Sequence, residues 1–283
     1  MSALTYNDCL ISVVMLTVNR PQYIESAITS VLRQTYGRWE LVVVQDGGDP
    51  RIAPIVNCFV RSDERVRFFQ RMEVGNIANA LNFAIRQSSG EFVAILDDDD
   101  AWINSRKLEL QWKYLREHRD VTAVGGGAVV VNRQGQETMR YQRPLDSAEC
   151  ARRALIANPI IHSTVLYRRS VADAAGLYDE TLRGYQDWDL WLKIMQMGKV
   201  SNVPDYLATY RVWDGGGSST KILGNAWSSL RVVVRHMRRY PHGLVAGLTS
   251  VAYVGFALLP SSLRRRSYQS LTRFKKRCFS VKS

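Results

Sequence analysis

The sequence has only four cysteines, Cys9, Cys58, Cys150 and Cys278, and they stand too far apart for zinc-site or Cys-x-x-Cys redox spacings. Met1 to Leu10 has no basic start, and the apolar run Leu10 to Val18 is short and gives way at once to Asn19-Arg20-Pro21. No export signal is therefore expected. Without one, free thiols in a reducing cytoplasm are the preferred reading over two disulfides. Internal repeats are absent. Acidic side chains are missing from residues 221–283, which hold thirteen Lys or Arg, so residues 1–220 carry the other 25 of the 38 basic side chains and all 26 acidic ones. The net charge of +12 is thus a property of the tail. Nucleic-acid binders more often spread basic residues over a folded surface, and no nucleic-acid partner is expected.

What remains is the composition of a globular chain, 46% hydrophobic and 23% charged in 283 residues. That length suits one large domain or two intimate halves with a substantial core. Leu10 to Thr17 is an apolar, β-branched run, as a strand buried on both faces requires. Pro21 opens a helical pattern with Tyr23, Ile24, Ala27, Ile28, Val31 and Leu32 on one face. Trp39 to Gln45 reads as a second buried strand ending at Asp46-Gly47-Gly48, and Val66 to Phe69 as a third. Gly75 to Arg86 is helical, and Glu91 to Leu96 is a strand running into Asp97-Asp98-Asp99-Asp100. Beyond it, Val121 to Val131 is strand-like with a break at Gly125-Gly126-Gly127. Ser163 to Tyr167 is a short strand, Asp187 to Met197 an amphipathic helix, and Trp213 to Ser219 a loop.

Strands alternating with helices imply parallel pairing through right-handed crossovers, hence an α/β open sheet. Ligands of such sheets bind outside the carboxyl ends of the strands. Thr17-Val18-Asn19-Arg20, Asp46-Gly47-Gly48 and Asp97 to Asp100 all follow strand ends, so they converge on one edge. Four consecutive aspartates repel one another, and a cation offsets that repulsion. Hard carboxylate oxygens suit Mg²⁺ or Mn²⁺, which typically keeps one or two protein carboxylates alongside substrate phosphates. The alternative is a solvated acidic turn that caps the next helix.

With these residues in hand, the chain resembles a family 2 glycosyltransferase of the GT-A fold, a group with an Asp-x-Asp metal motif. The carriers are Thr17-Val18-Asn19-Arg20, Val42 to Gly47, Gly75-Asn76 with Ala80-Leu81-Asn82, and Leu96 to Trp102. They continue with His162-Ser163-Thr164, Gly176 to Glu180 and Gln186 to Trp191. The likeness runs from about Ile11 to about Ser219. It implies a Rossmann-like, mostly parallel open sheet flanked by helices, and an inverting, metal-dependent transfer from a nucleotide sugar to a hydroxyl. Asp46 matches the aspartate that meets the base, usually uracil. Thr17, Asn19 and Arg20 match the loop around base and phosphates, with Leu16 where many relatives have proline, and Asn82 is counted with the donor site. Asp97 and Asp99 match the metal-binding ends of the motif and Asp98 the position turned towards ribose, although an all-Asp run leaves the register open by one.

Asp187 matches the general base, here preceded by Gln186 instead of an acid, with Asp189 as the second candidate. A carboxylate opposite the leaving group is what an inverting transfer needs. His162 is either a site residue or a structural histidine. Arg211, ahead of the flexible loop, is suited to phosphate or to a surface ion pair. The Gln-x-x-Arg-Trp signature of processive synthases is absent, as is the Gly-rich, Arg-containing N-terminal loop of sugar-nucleotide pyrophosphorylases. A non-catalytic nucleotide-sugar-binding or membrane scaffold protein of the same fold is the competing reading.

The resemblance divides the chain into a glycosyltransferase domain, 1–220, and a basic, partly apolar helical tail, 221–283. Within the domain, about 1–102 is the nucleotide-sugar half and about 103–220 the acceptor half. Gly243 to Leu263 is uncharged, at the short end for a spanning helix, and flanked by basic residues on both sides. A helix or hairpin lying on anionic lipid at the inner face of the cell membrane is expected, near a glycan or lipid-linked acceptor. A buried C-terminal helix is the alternative.

Overall fold

The computed structural model describes residues 9–72, 75–212, 222–260 and 264. Strands β1 (Ile11–Thr17) and β2 (Trp39–Asp46) are buried along almost their whole length. Their side chains alternate between two apolar layers: Ile11, Val13, Met15, Leu41 and Val43 face one, Val14, Val42 and Val44 the other. Helices α1 (Pro21–Leu32) and α2 (Ile52–Ser62) cover the first layer with Ile24, Ile28 and Val56. Helix α3 (Ile77–Gln87) covers the second with Leu81 and Ile85. β3 (Val66–Arg71) and β4 (Phe92–Ile95) complete a parallel set in the order β3-β2-β1-β4. The ends of β1, β2 and β4 therefore lie on one edge, as expected.

The sheet continues beyond β4 in the order Leu166–Arg168, Val121–Val131, Lys199–Arg211 and Ala101–Trp102, and becomes mixed. The elements are β5 (Ala101–Trp102), α4 (Lys107–Glu117), β6 (Val121–Val131), β7 (Glu137–Tyr141), α5 (Ser147–Arg153), β8 (Leu166–Arg168), α6 (Arg169–Ala174), α7 (Gln186–Ile194) and β9 (Lys199–Arg211). β8 is antiparallel to β4 and β6, whereas β6 and β9 run parallel. A 3-10 turn at His162–Thr164 precedes β8, where a strand from Ser163 was expected. The glycine run does not interrupt β6, which is buried throughout. It is glycine because its neighbours crowd in: a Cβ would sit 2.3 Å from Asn202 Oδ1 at Gly125, 2.5 Å from Leu207 Cδ1 at Gly126 and 2.3 Å from Gln142 Oε1 at Gly127. The register with β9 shifts at the same place. The expected loop Trp213 to Ser219 lies outside the described residues.

Two further helices follow, α8 (Ile222–His236) and α9 (Gly243–Leu258). α8 is tied to α7 by apolar packing of Val232 and Val233 with Trp188 and Leu192. Polar contacts reinforce it: Arg235 Nη1 and His236 Nε2 lie 2.9 and 3.0 Å from Asp189 Oδ1, and Arg235 Nη2 2.7 Å from Asp179 Oδ2. α9 covers α8 with Val254 and Ala257. Its opposite face leaves Leu244, Val245, Leu248, Val251 and Leu258 exposed. Among the described residues no helix is long and apolar enough to cross a membrane.

Candidate active site

The turn after β2 is built on positive φ at Gly47 and Gly48 (66° and 82°). A Cβ on Gly48 would fall 1.8 Å from the carbonyl oxygen of Val18. Only glycine lets this turn close on the loop after β1, where the Asp49 N–H donates to that same oxygen at 2.8 Å. The two loops thereby present Asn19 and Arg20 to a cavity of about 650 Å³, with Asp97 to Asp100 alongside.

Each aspartate has its own partners. Thr17 Oγ1 donates to Asp98 Oδ2 at 2.6 Å, and Arg20 Nη1 lies 2.7 Å from Asp98 Oδ1 and 2.9 Å from Asp99 Oδ1. The Ser163 hydroxyl and the Arg211 N–H (2.8 Å) both donate to Asp100. Asp97, the most exposed of the four, faces His162 Nδ1 at 3.2 Å, and His162 Nε2 meets the Tyr178 hydroxyl at 3.0 Å. Burial, only partly offset by Arg20 and Thr17, pushes the Asp98 carboxyl up to about 6. Burial and then the charges of Asp97 and Asp99 push Asp100 well above the carboxylate range. Asp97 goes the other way: burial is outweighed by His162, which holds it low, and the same pairing raises His162.

The donor set suits a hard divalent cation as a half-site. Asp97 and Asp99 line the cavity with carboxylate oxygens, as few as Mg²⁺ or Mn²⁺ needs when phosphate and water complete its shell. Among the described residues no group of three or more His, Cys, Asp or Glu stands ready to hold a metal alone.

The other expected donor residues are distributed less simply. Asp46 is buried behind the cavity wall, where its Oδ2 accepts the Gly75 N–H at 3.0 Å and its Oδ1, 3.5 Å from Arg71, has no hydrogen-bond partner. Thr17 acts through Asp98 and does not line the cavity. Asn82 faces away: its amide bonds to Tyr178 and Glu180. Arg211 lines the cavity, stacks 4.3 Å over Tyr23, and donates to the carbonyls of Asp99, Asn132 and Arg133.

The opposite wall comes from the second half. Tyr185, at φ 60°, turns the chain sharply into α7 and brings Gln186 and Asp187 to the cavity. Asn158 Nδ2 donates to Asp187 Oδ2 at 2.6 Å. Asp189 lies fully buried on another face of α7 with Arg235, His236 and Lys193, so it is not poised over the cavity. Tyr141, Arg143, Asn158 and Tyr210 complete the wall. Sequence reading gives no role to Arg143 or Asn158, since both sit in irregular segments without a motif.

Residues 12–176 match the family described as Glycosyl transferase family 2. The chain belongs to that family. This family 2 glycosyltransferase is 28% identical over 213 residues to the O-antigen biosynthesis glycosyltransferase WbnJ of Escherichia coli, covering 72% of the chain and 80% of WbnJ. It spans only 31% to 36% of the length of several longer glycosyltransferase relatives from Rickettsia species. Its fold is similar to that of the mannosyltransferase PcManGT from Pyrobaculum calidifontis in complex with GDP-Man and Mn²⁺. The TM-score is 0.65 at 18% identity, covering 94% of this chain and 80% of that one. It is likewise similar to S. aureus TarS 1-349 in complex with UDP-GlcNAc, with TM-score 0.65 at 18% identity, covering 88% and 73%.

Proposed function

We propose that this glycosyltransferase moves a sugar, with inversion, from a nucleoside diphosphate donor, a UDP-sugar in the first instance, to a hydroxyl of a membrane-linked glycan. The observation that carries the reading is that Asp97–Asp100 and Asp187 line one cavity from different halves of the fold. In this assignment the Oδ1 of Asp46, which makes no hydrogen bond and lies 3.5 Å from Arg71, turns to accept the N–H of the base when the donor binds. Asn19, Arg20, Asp98 and Arg211 serve the ribose and phosphates, and Thr17 positions Asp98. Asp97 and Asp99 would hold a Mn²⁺ or Mg²⁺ ion, which when bound neutralises charge on the leaving diphosphate. Residues up to about 102 form the donor half and about 103–220 the acceptor half.

Asp187 is the base. The acceptor oxygen bonds to the anomeric carbon, the bond from that carbon to the diphosphate oxygen breaks, and the nucleoside diphosphate leaves with the electron pair. The hydroxyl proton passes to the Asp187 oxygen not held by Asn158. The relatives support this reading, since two structural neighbours are in complex with nucleotide sugars and one sequence relative is a glycosyltransferase of O-antigen biosynthesis. The test is hydrolysis and transfer with UDP-, GDP- and dTDP-sugars, with and without Mn²⁺. Metal-dependent turnover of one donor, lost in Asp99→Ala, is expected, and no turnover or binding with any donor overturns the reading.

We also place the tail, 221–283, on anionic lipid at the inner face of the cell membrane. The exposed apolar face of α9 and the absence of acidic residues from 221 onward support this. Paired Leu244→Ser and Leu248→Ser substitutions are expected to release the full chain from vesicles containing phosphatidylglycerol. An intact chain that fails to sediment with those vesicles rules it out.

A further inference from the structure

The acceptor side of the cavity contains a cation that the proposed donor chemistry leaves unused. Arg143 follows β7 and lines the cavity together with Tyr141, Asn158, Asp187 and Tyr210. Its guanidinium lies 4.6 Å from the Tyr141 ring centre. Its Nε is buried and has no hydrogen-bond partner. Arg143 is half-buried as a residue, but a shielded guanidinium N–H without a hydrogen-bond partner is costly, and a ligand entering the cavity would complete it. On the opposite wall, by contrast, Arg20 is paired with Asp98 and Asp99, and Arg211 donates to backbone carbonyls.

Nor does Asp187 serve as that partner. One of its oxygens takes the Asn158 amide, and its charge reaches Arg143 only through space. A planar fork of donors matches a carboxylate or a phosphoryl group in a two-point contact, whereas neutral hydroxyls need no such cation. We propose that Arg143 is the receptor for an anionic group, carboxylate or phosphoryl, carried by the acceptor close to the hydroxyl that Asp187 deprotonates. This deepens the acceptor side of the proposed function and rests on that reading. It makes the acceptor an acidic sugar or a phosphorylated carrier, and Arg143 a specificity-determining residue.

The test titrates the full chain with methyl β-glucuronide, glucose 6-phosphate and methyl β-glucoside in the presence of Mn²⁺, following binding by NMR. At least one anionic probe is expected to bind about tenfold or more tighter than the neutral glucoside, the span a charge-assisted contact covers. The tighter of the two identifies carboxylate or phosphoryl as the source. Arg143→Met is expected to abolish the preference and Arg143→Lys to restore part of it. Equal binding of all three probes to the unaltered chain, which needs no variant to fold, overturns the proposal. So does a preference that survives Arg143→Met. UDP, GDP and dTDP titrated into the same samples separate the two readings: binding of any one without anion preference defeats the Arg143 assignment alone. Anion preference without binding of UDP, GDP or dTDP defeats the donor assignment alone.

Discussion

Identical residues in one turn meet different surroundings here. Asp98 is pinned by a hydroxyl and a guanidinium, Asp100 is sealed against Ser163, and Asp97, the most exposed of the four, stands beside an imidazole. Asp187, across the cavity, is held by one amide and keeps an oxygen to work with. Asp187→Asn is expected to retain UDP binding and to lose transfer by about 10²- to 10⁴-fold, the span attributed to a general base. Single-turnover transfer alongside UDP titration reads both, and transfer at the native rate shows that another group is the base. The aspartates, His162 and Asp187 were legible because each sits inside a contiguous string. Arg143 and Asn158 were not, because nothing local distinguishes a loop arginine that ends in a cavity from one that ends in water. Asn82 also reads as part of a motif, yet its amide is consumed in joining α3 to the segment after α6.

At the scale of elements, the parallel strands announce themselves through uninterrupted apolar runs, which only double-sided burial explains. α2 and β9 are harder to read. α2 carries Pro54 in its first turn, where it is tolerated, and β9 contains Pro204 and Asp205, which look like a turn but bulge within a long strand. The glycines of β6 mislead in the opposite sense, since they mark tight neighbours and no interruption. Gly127→Val should therefore cost about 1–3 kcal/mol, the usual range for overfilling a packed site. It would drive side-chain atoms into Gln142 and Tyr206. A urea midpoint lowered without a change in slope checks this, and an unchanged midpoint shows that the strand has room.

Across the whole molecule, the tail and the body are joined by charge as well as by apolar packing. Burial disfavours the Asp179 carboxylate, but Thr181 and Arg235 outweigh it and hold the group at about 2 against an ordinary 3.8. A carboxylate with a lowered pKa contributes stability that is complete above about pH 4 and fades as the pH falls through 3.8 towards 2. The native chain is expected to lose more thermal stability between pH 4 and pH 2 than Asp179→Asn does. Parallel melting curves for the two proteins would contradict this. The same junction has a mechanical side. Arg235 and His236 grip Asp189 in the turn of α7 that also carries Asp187, and α9 is packed on α8. The outer helix is therefore linked through α8 to the turn of α7 that lines the cavity, and a displacement of α9 would reach Asp187 through only two packed junctions.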